Sequence, residues 1–90
     1  MTKHQRQRQA RIREIQAELL ARMQAKFPLI EFLEIEERST GTVVLHVYSP
    51  YPDDLMEVLE TTSERLADLV DEGLCVMVLP HSEKLIRLVA

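Results

Sequence analysis

The side chains best suited to chemistry at neutral pH are three histidines, His4, His46 and His81, and a single cysteine, Cys75. An imidazole can serve as a general base or a metal ligand, and a thiol becomes a nucleophile once it ionises. Each of these uses needs a partner close by. No two of the four share the i,i+2 to i,i+4 spacing that brings ligands together on one strand or helix, so His46, His81 and Cys75 are donors for at most a weak metal-binding regulatory domain. Cys75 falls inside the run Leu74-Cys75-Val76-Met77-Val78, which predicts a packed, unreactive thiol. Two glycines are too few for a phosphate-cradling loop, and no Ser, Thr or Cys stands in a nucleophile motif. These residues predict a non-catalytic protein with no cofactor and no fixed metal.

The charges carry more information than the nucleophiles. Lys3, Arg6, Arg8, Arg11 and Arg13 fall in the first thirteen residues, where there is no acidic side chain, and the remaining chain holds six basic residues against fifteen acidic ones. A formal net charge of −4 conceals this division. Like charges on a short segment repel and are relieved by an oppositely charged surface, so residues 1–13 read as a basic interaction arm and residues 14–90 as one α/β domain. Cations at a helix N-terminus oppose the macrodipole, which predicts an arm that frays when free.

The elements follow from hydrophobic rhythm. Ile12, Ile15, Leu19, Leu20, Met23 and Phe27 recur at helical spacing from about Ala10 until Pro28. Leu33 and Ile35 alternate with glutamates, and Ser39-Thr40-Gly41 separates them from the β-rich run 42–48, which predicts a hairpin. Pro52, Asp53 and Asp54 suit the start of a second helix reaching about Glu72, with Gly73 as its stop. The run 74–79 predicts a buried strand, Pro80 to Glu83 a turn, and residues 84–89 a fourth strand. The expected fold is α+β: a two-layer sandwich in the order α-β-β-α-β-β, with a mixed three- to four-stranded sheet and both helices on one face. The crossover from the second strand to the third should be right-handed and leave those strands parallel.

Two surfaces remain after this assignment. With Val43, Leu45 and Val47 turned to the helices, Val44, His46 and Tyr48 turn away, joined by Met77 and Leu79. That face is the expected site of self-association in so small a chain. On the second helix, Leu55, Leu59, Thr62, Leu66, Leu69 and Val70 form the packing stripe. Asp53, Glu57, Glu60, Glu64, Asp68 and Asp71 gather on the opposite side. Arg6, Arg8, Arg11 and Arg13 are expected to lie against Glu57, Glu60, Glu64 and Asp68, within one chain or across a dimer.

A basic N-terminal segment followed by α-β-β-α-β resembles KH-type RNA-binding domains, and Arg65-Leu66-Ala67 is similar to part of the ribosome-binding factor A pattern. The resemblance implies RNA or ribosome association through the arm, although the chain has no Gly-x-x-Gly loop. The layout, with histidines on strands, also resembles the cytoplasmic domains of cation-efflux transporters, which implies metal binding. No apolar run approaches the roughly 18 residues of a spanning helix, and the start lacks the apolar stretch of a secretory signal. The lone Cys75 suits a reducing cytoplasm. The function these features predict is a cytoplasmic interaction module, a homodimer or the partner of another protein, with no membrane contact.

Overall fold

The computed structural model describes residues 2–84. A 24-residue helix α1 (Lys3–Lys26) is followed by strands β1 (Glu31–Glu37) and β2 (Val43–Tyr48), a short 3-10 turn (Pro52–Asp54), helix α2 (Leu55–Asp71) and strand β3 (Val76–His81). Among the described residues the order is therefore α-β-β-α-β, with three strands, and the expected α-β-β-α-β-β is not matched. Lys84 lies in a bend, and the rest of the anticipated fourth strand falls outside the described residues.

Strand order in the sheet is β1-β2-β3, with β1 antiparallel and β3 parallel to the central β2. The hairpin turn closes through the Gly41 N–H donating to the Arg38 carbonyl at 2.9 Å, with Gly41 at φ +89° where a side chain would be strained. One irregularity between Phe32 and Glu34 shifts the β1 register. The C-terminus of α2 is closed by Gly73 at φ +88° and by the Leu74 N–H donating to the Leu69 carbonyl at 2.8 Å, a Schellman arrangement.

Both helices lie on one face of the sheet. Ile12, Ile15, Leu19 and Met23 of α1, Val58 and Leu69 of α2, and Val43, Leu45, Val47, Val76 and Val78 of the sheet form one buried cluster. The packing stripe of α2 is turned slightly from expectation, because Val58, Thr62 and Leu69 are its buried residues while Leu55 and Val70 are exposed. Thr62 is tolerated in the core because its hydroxyl donates to the Leu59 carbonyl at 3.2 Å.

Helix α1 begins at Lys3, well before Ala10. The Thr2 hydroxyl accepts from the Gln5 N–H and the Gln5 side chain accepts from the Thr2 N–H, a capping box that satisfies two donors at the helix start. The basic segment is thus the first turns of α1 itself. At about 1.5 Å per residue, α1 is roughly 36 Å long and outruns strands of roughly 20 Å, in keeping with a longest dimension of 41 Å.

Candidate functional site

One turn of helix geometry divides the five basic residues of the N-terminal segment. Arg8 and Arg11 fall on the side of Ile12 and Ile15 and are drawn onto the body of the protein. Arg8 meets Glu37 at 3.4 Å and donates to the Gly41 carbonyl at 3.1 Å, while Arg11 meets Glu72 at 2.8 Å and Glu14 at 3.4 Å. Lys3, Arg6 and Arg13 lie within about 80° of one another on the opposite side, at about 100° per residue. They are exposed and form no ion pair among the described residues.

The acidic row of α2 is present and turned outward. Its first member, Glu57, meets Lys26 at 3.4 Å, whereas Glu60, Glu64 and Asp68 are exposed and form no ion pair among the described residues. Within the chain, then, none of Arg6, Arg8, Arg11 and Arg13 meets Glu57, Glu60, Glu64 or Asp68. The reason is rotational: Arg6 and Arg13, like Glu60, Glu64 and Asp68, point away from the packed seam between the helices, while Arg8, Arg11 and Glu57 are taken up by other partners.

That seam is bridged by other charges. Arg65 meets Glu18 of α1 at 2.7 Å and Glu72 at 3.2 Å, Arg22 reaches the same Glu18 oxygen at 3.2 Å, and Arg11 shares Glu72. The result is an alternating run from Arg22 to Glu14 that ties α1 to α2. The hydrogen bond from Arg65 holds the Glu18 carboxyl below its ordinary range, and Glu18 in turn raises the Arg65 guanidinium.

On the sheet face away from the helices the five anticipated interface residues separate by depth. Val44 and His46 are buried, Tyr48 and Leu79 are half-buried, and Met77 is exposed at 39%. Only Tyr48, Leu79 and Met77 offer apolar surface to a partner. Lys84 passes over the Tyr48 ring, 5.1 Å from its centroid, and pairs with Glu31 at 2.9 Å. Cys75 is exposed at the entry to β3, in contrast to the buried position its apolar neighbours predict, because β3 begins one residue later.

The same face carries a constellation not foreseen from the sequence. His46 Nε2 lies 2.9 Å from Glu36 Oε1, and His46 Nδ1 lies 2.7 Å from His81 Nε2. One residue comes from each of the three strands. An ionised carboxylate only accepts, so His46 carries its proton on Nε2, and in the neutral pair His81 Nε2–H donates to His46 Nδ1. The hydrogen bond from His46, reinforced by Arg38, outweighs burial and keeps Glu36 below the ordinary carboxyl value. Burial and then the neighbouring His46 ring push the His81 imidazole down. No family model, curated protein or solved structure matches the chain. Its chemistry is therefore read from these residues alone.

A metal fits this constellation poorly. Two imidazole nitrogens bound to one ion at about 2.0–2.1 Å stand roughly 3 Å or more apart, and 2.7 Å is the length of a hydrogen bond. Among the described residues no three His, Cys, Asp or Glu side chains are grouped to hold an ion. No described helix is long and apolar enough to cross a membrane.

Proposed function

We propose that this chain is a non-catalytic protein-interaction module that associates with a second copy of itself. The observation that supports it is the pair of complementary stripes with no counter-charge among the described residues. Lys3, Arg6 and Arg13 extend for about 15 Å along the outer side of α1, and Glu60, Glu64 and Asp68 for about 12 Å along the outer side of α2. The two cannot reach each other within one chain. In a two-fold pair, the basic stripe of each copy can lie on the acidic stripe of the other, which makes two equivalent contacts. Charge complementarity of this kind sets orientation and on-rate.

A charge swap tests the reading. Sedimentation at low salt should show a dimer that weakens as salt rises, because exposed charges are screened over about 8–10 Å at physiological ionic strength. Arg6→Glu with Arg13→Glu should give a monomer, as should Glu60→Arg with Glu64→Arg, and mixing the two variants should restore a dimer. Monomers throughout, or a dimer indifferent to every change, would defeat it. RNA or ribosome association through the same basic stripe is the second reading, favoured by the projection of that stripe beyond the sheet. It predicts a salt-sensitive shift of labelled RNA that Arg6→Glu with Arg13→Glu abolishes.

A further inference from the structure

Among the described residues, the array Glu36–His46–His81 is the one side-chain polar connection that runs across all three strands on the face without helices. It sits on a floor of buried side chains, with His46 4% exposed and Val44 wholly enclosed. Its protons can be counted. With both rings neutral, one proton lies in each of the two hydrogen bonds: His46 Nε2–H to Glu36, and His81 Nε2–H to His46 Nδ1. A first added proton goes to the remaining nitrogen of His81, Nδ1, and leaves both bonds intact. The resulting imidazolium is balanced by the Glu36 carboxylate through the intervening ring. Of the ring nitrogens, a second added proton has only His46 Nδ1 to occupy, and two N–H groups would then face each other across 2.7 Å. The bond between β2 and β3 side chains must break, with two cationic rings left 5.0 Å apart.

From this count we infer that Glu36, His46 and His81 form a proton-operated clasp that fastens β3 to β2 and β1 while it carries at most one extra proton, and opens when the second binds. The surroundings decide how firmly the second is refused. Facing the rings from β1 are Glu36, the Cα partner of Val44, and Glu34, the partner of His46. Arg38 competes for Glu36 at 3.5 Å. Tyr48 is the strand neighbour of His81, and Lys84 lies over Tyr48 with its charge taken up by Glu31. One carboxylate alone is bonded to the array, which is enough for one imidazolium and too little for two. Opening would release the end of β3 that is held by the Ser49 N–H donating to the His81 carbonyl at 2.8 Å, and would alter the patch of Tyr48, Met77 and Leu79. The clasp is a property of the single chain and does not depend on self-association. Its effect on a dimer rests on the proposed function.

Nitrogen-detected or long-range proton–nitrogen spectra of the histidine rings, recorded on the full chain from pH 8 to pH 4, test the clasp directly. The expected result is that His46 and His81 titrate as a coupled pair, in two steps more than about one pH unit apart. Loss of β3 amide signals should accompany only the lower step. His81→Asn keeps a donor for His46 Nδ1 but cannot take a proton, and should abolish the loss of β3 signals. Two independent, superimposable titrations, or β3 signals that persist through both steps, would overturn the inference. If His81→Asn does not fold, His46→Gln serves instead and should leave His81 with a single step. Sedimentation at both ends of the range separates the two proposals: monomers at every pH remove self-association and leave the ring titrations to decide the clasp.

Discussion

Arg65 touches carboxylates from both sides of the helix seam, Glu18 on α1 and Glu72 just past α2, with its side chain 18% exposed. Replacement by Ala would leave Glu18 and Glu72 close to each other's surroundings without their shared cation. Arg65→Ala should therefore lower Tm more than Arg22→Ala, whose residue holds only the exposed edge of the same network, and the difference should narrow in high salt. The buried residues report a different quantity. Leu19 is fully enclosed at the centre of α1, and Leu19→Ala should cost about 2–5 kcal/mol in a denaturant melt because the surrounding sheet cannot collapse onto the gap. His81 gives the pH dependence its sign. Its folded value lies below the ordinary 6.5, so the unfolded chain binds this proton more tightly. The stability it contributes is complete above about pH 6.5 and is lost as the pH falls through the lower folded value. Glu36 acts in the same direction below its ordinary 4.5. Melting curves should show stability falling from near pH 6.5 downward, with a smaller fall for His81→Asn.

The helix ends are where single elements can be tested. Thr2→Ala removes half of the capping box and should lower helix content in circular dichroism, at a cost to the helix of about 1 kcal/mol, with the first turns of α1 fraying first. Gly73→Ala places a side chain at φ +88° and should destabilise the protein by about 1–2 kcal/mol, although nothing crowds the position. The periodicity of Ile12, Ile15, Leu19 and Met23 made the buried part of α1 legible, and Gly41 and Gly73 marked two chain reversals correctly. The first turns of α1 were not read, because they hold no apolar periodic residue apart from Ala10. The one signal for them was Thr2 with Gln5 three residues on. Val58 went unread as a core residue because a helix stripe drawn through Leu55 and Val70 is rotated from the one the sheet selects. The histidine array was hidden by Pro80. A proline after an apolar run reads as the end of a strand, yet an edge strand can carry one, and β3 continues to His81 opposite Tyr48. That single extra pairing sets His81 beside His46.

At the scale of the whole molecule, charge is spent unevenly. The helix seam and the hairpin take up Arg8, Arg11, Arg22, Arg38 and Arg65, while the outer sides of α1 and α2 keep opposite signs. Removal of residues 1–13 should weaken any dimer and flatten its salt dependence in sedimentation, but it also takes Ile12 out of the core beside Ile15 and Leu19, a packing loss that Arg6→Glu with Arg13→Glu avoids. Comparing the two therefore separates the loss of charge from the loss of helix. The strand edges bear on which assemblies are open to the protein. Cys75 and His81 turn their carbonyls to β2, so the odd residues of β3 bond inward and the even ones, Pro80 among them, direct their backbone outward. Pro80 has no N–H to offer an incoming strand there. On the other side, β1 is broken in register between Phe32 and Glu34 and carries Glu31, Glu34, Glu36 and Glu37. Among the described residues, both margins of the sheet thus resist being extended by a further strand, the route by which small β-containing chains become fibres. Any assembly of this protein is thereby steered toward a closed, countable complex and away from the open-ended kind.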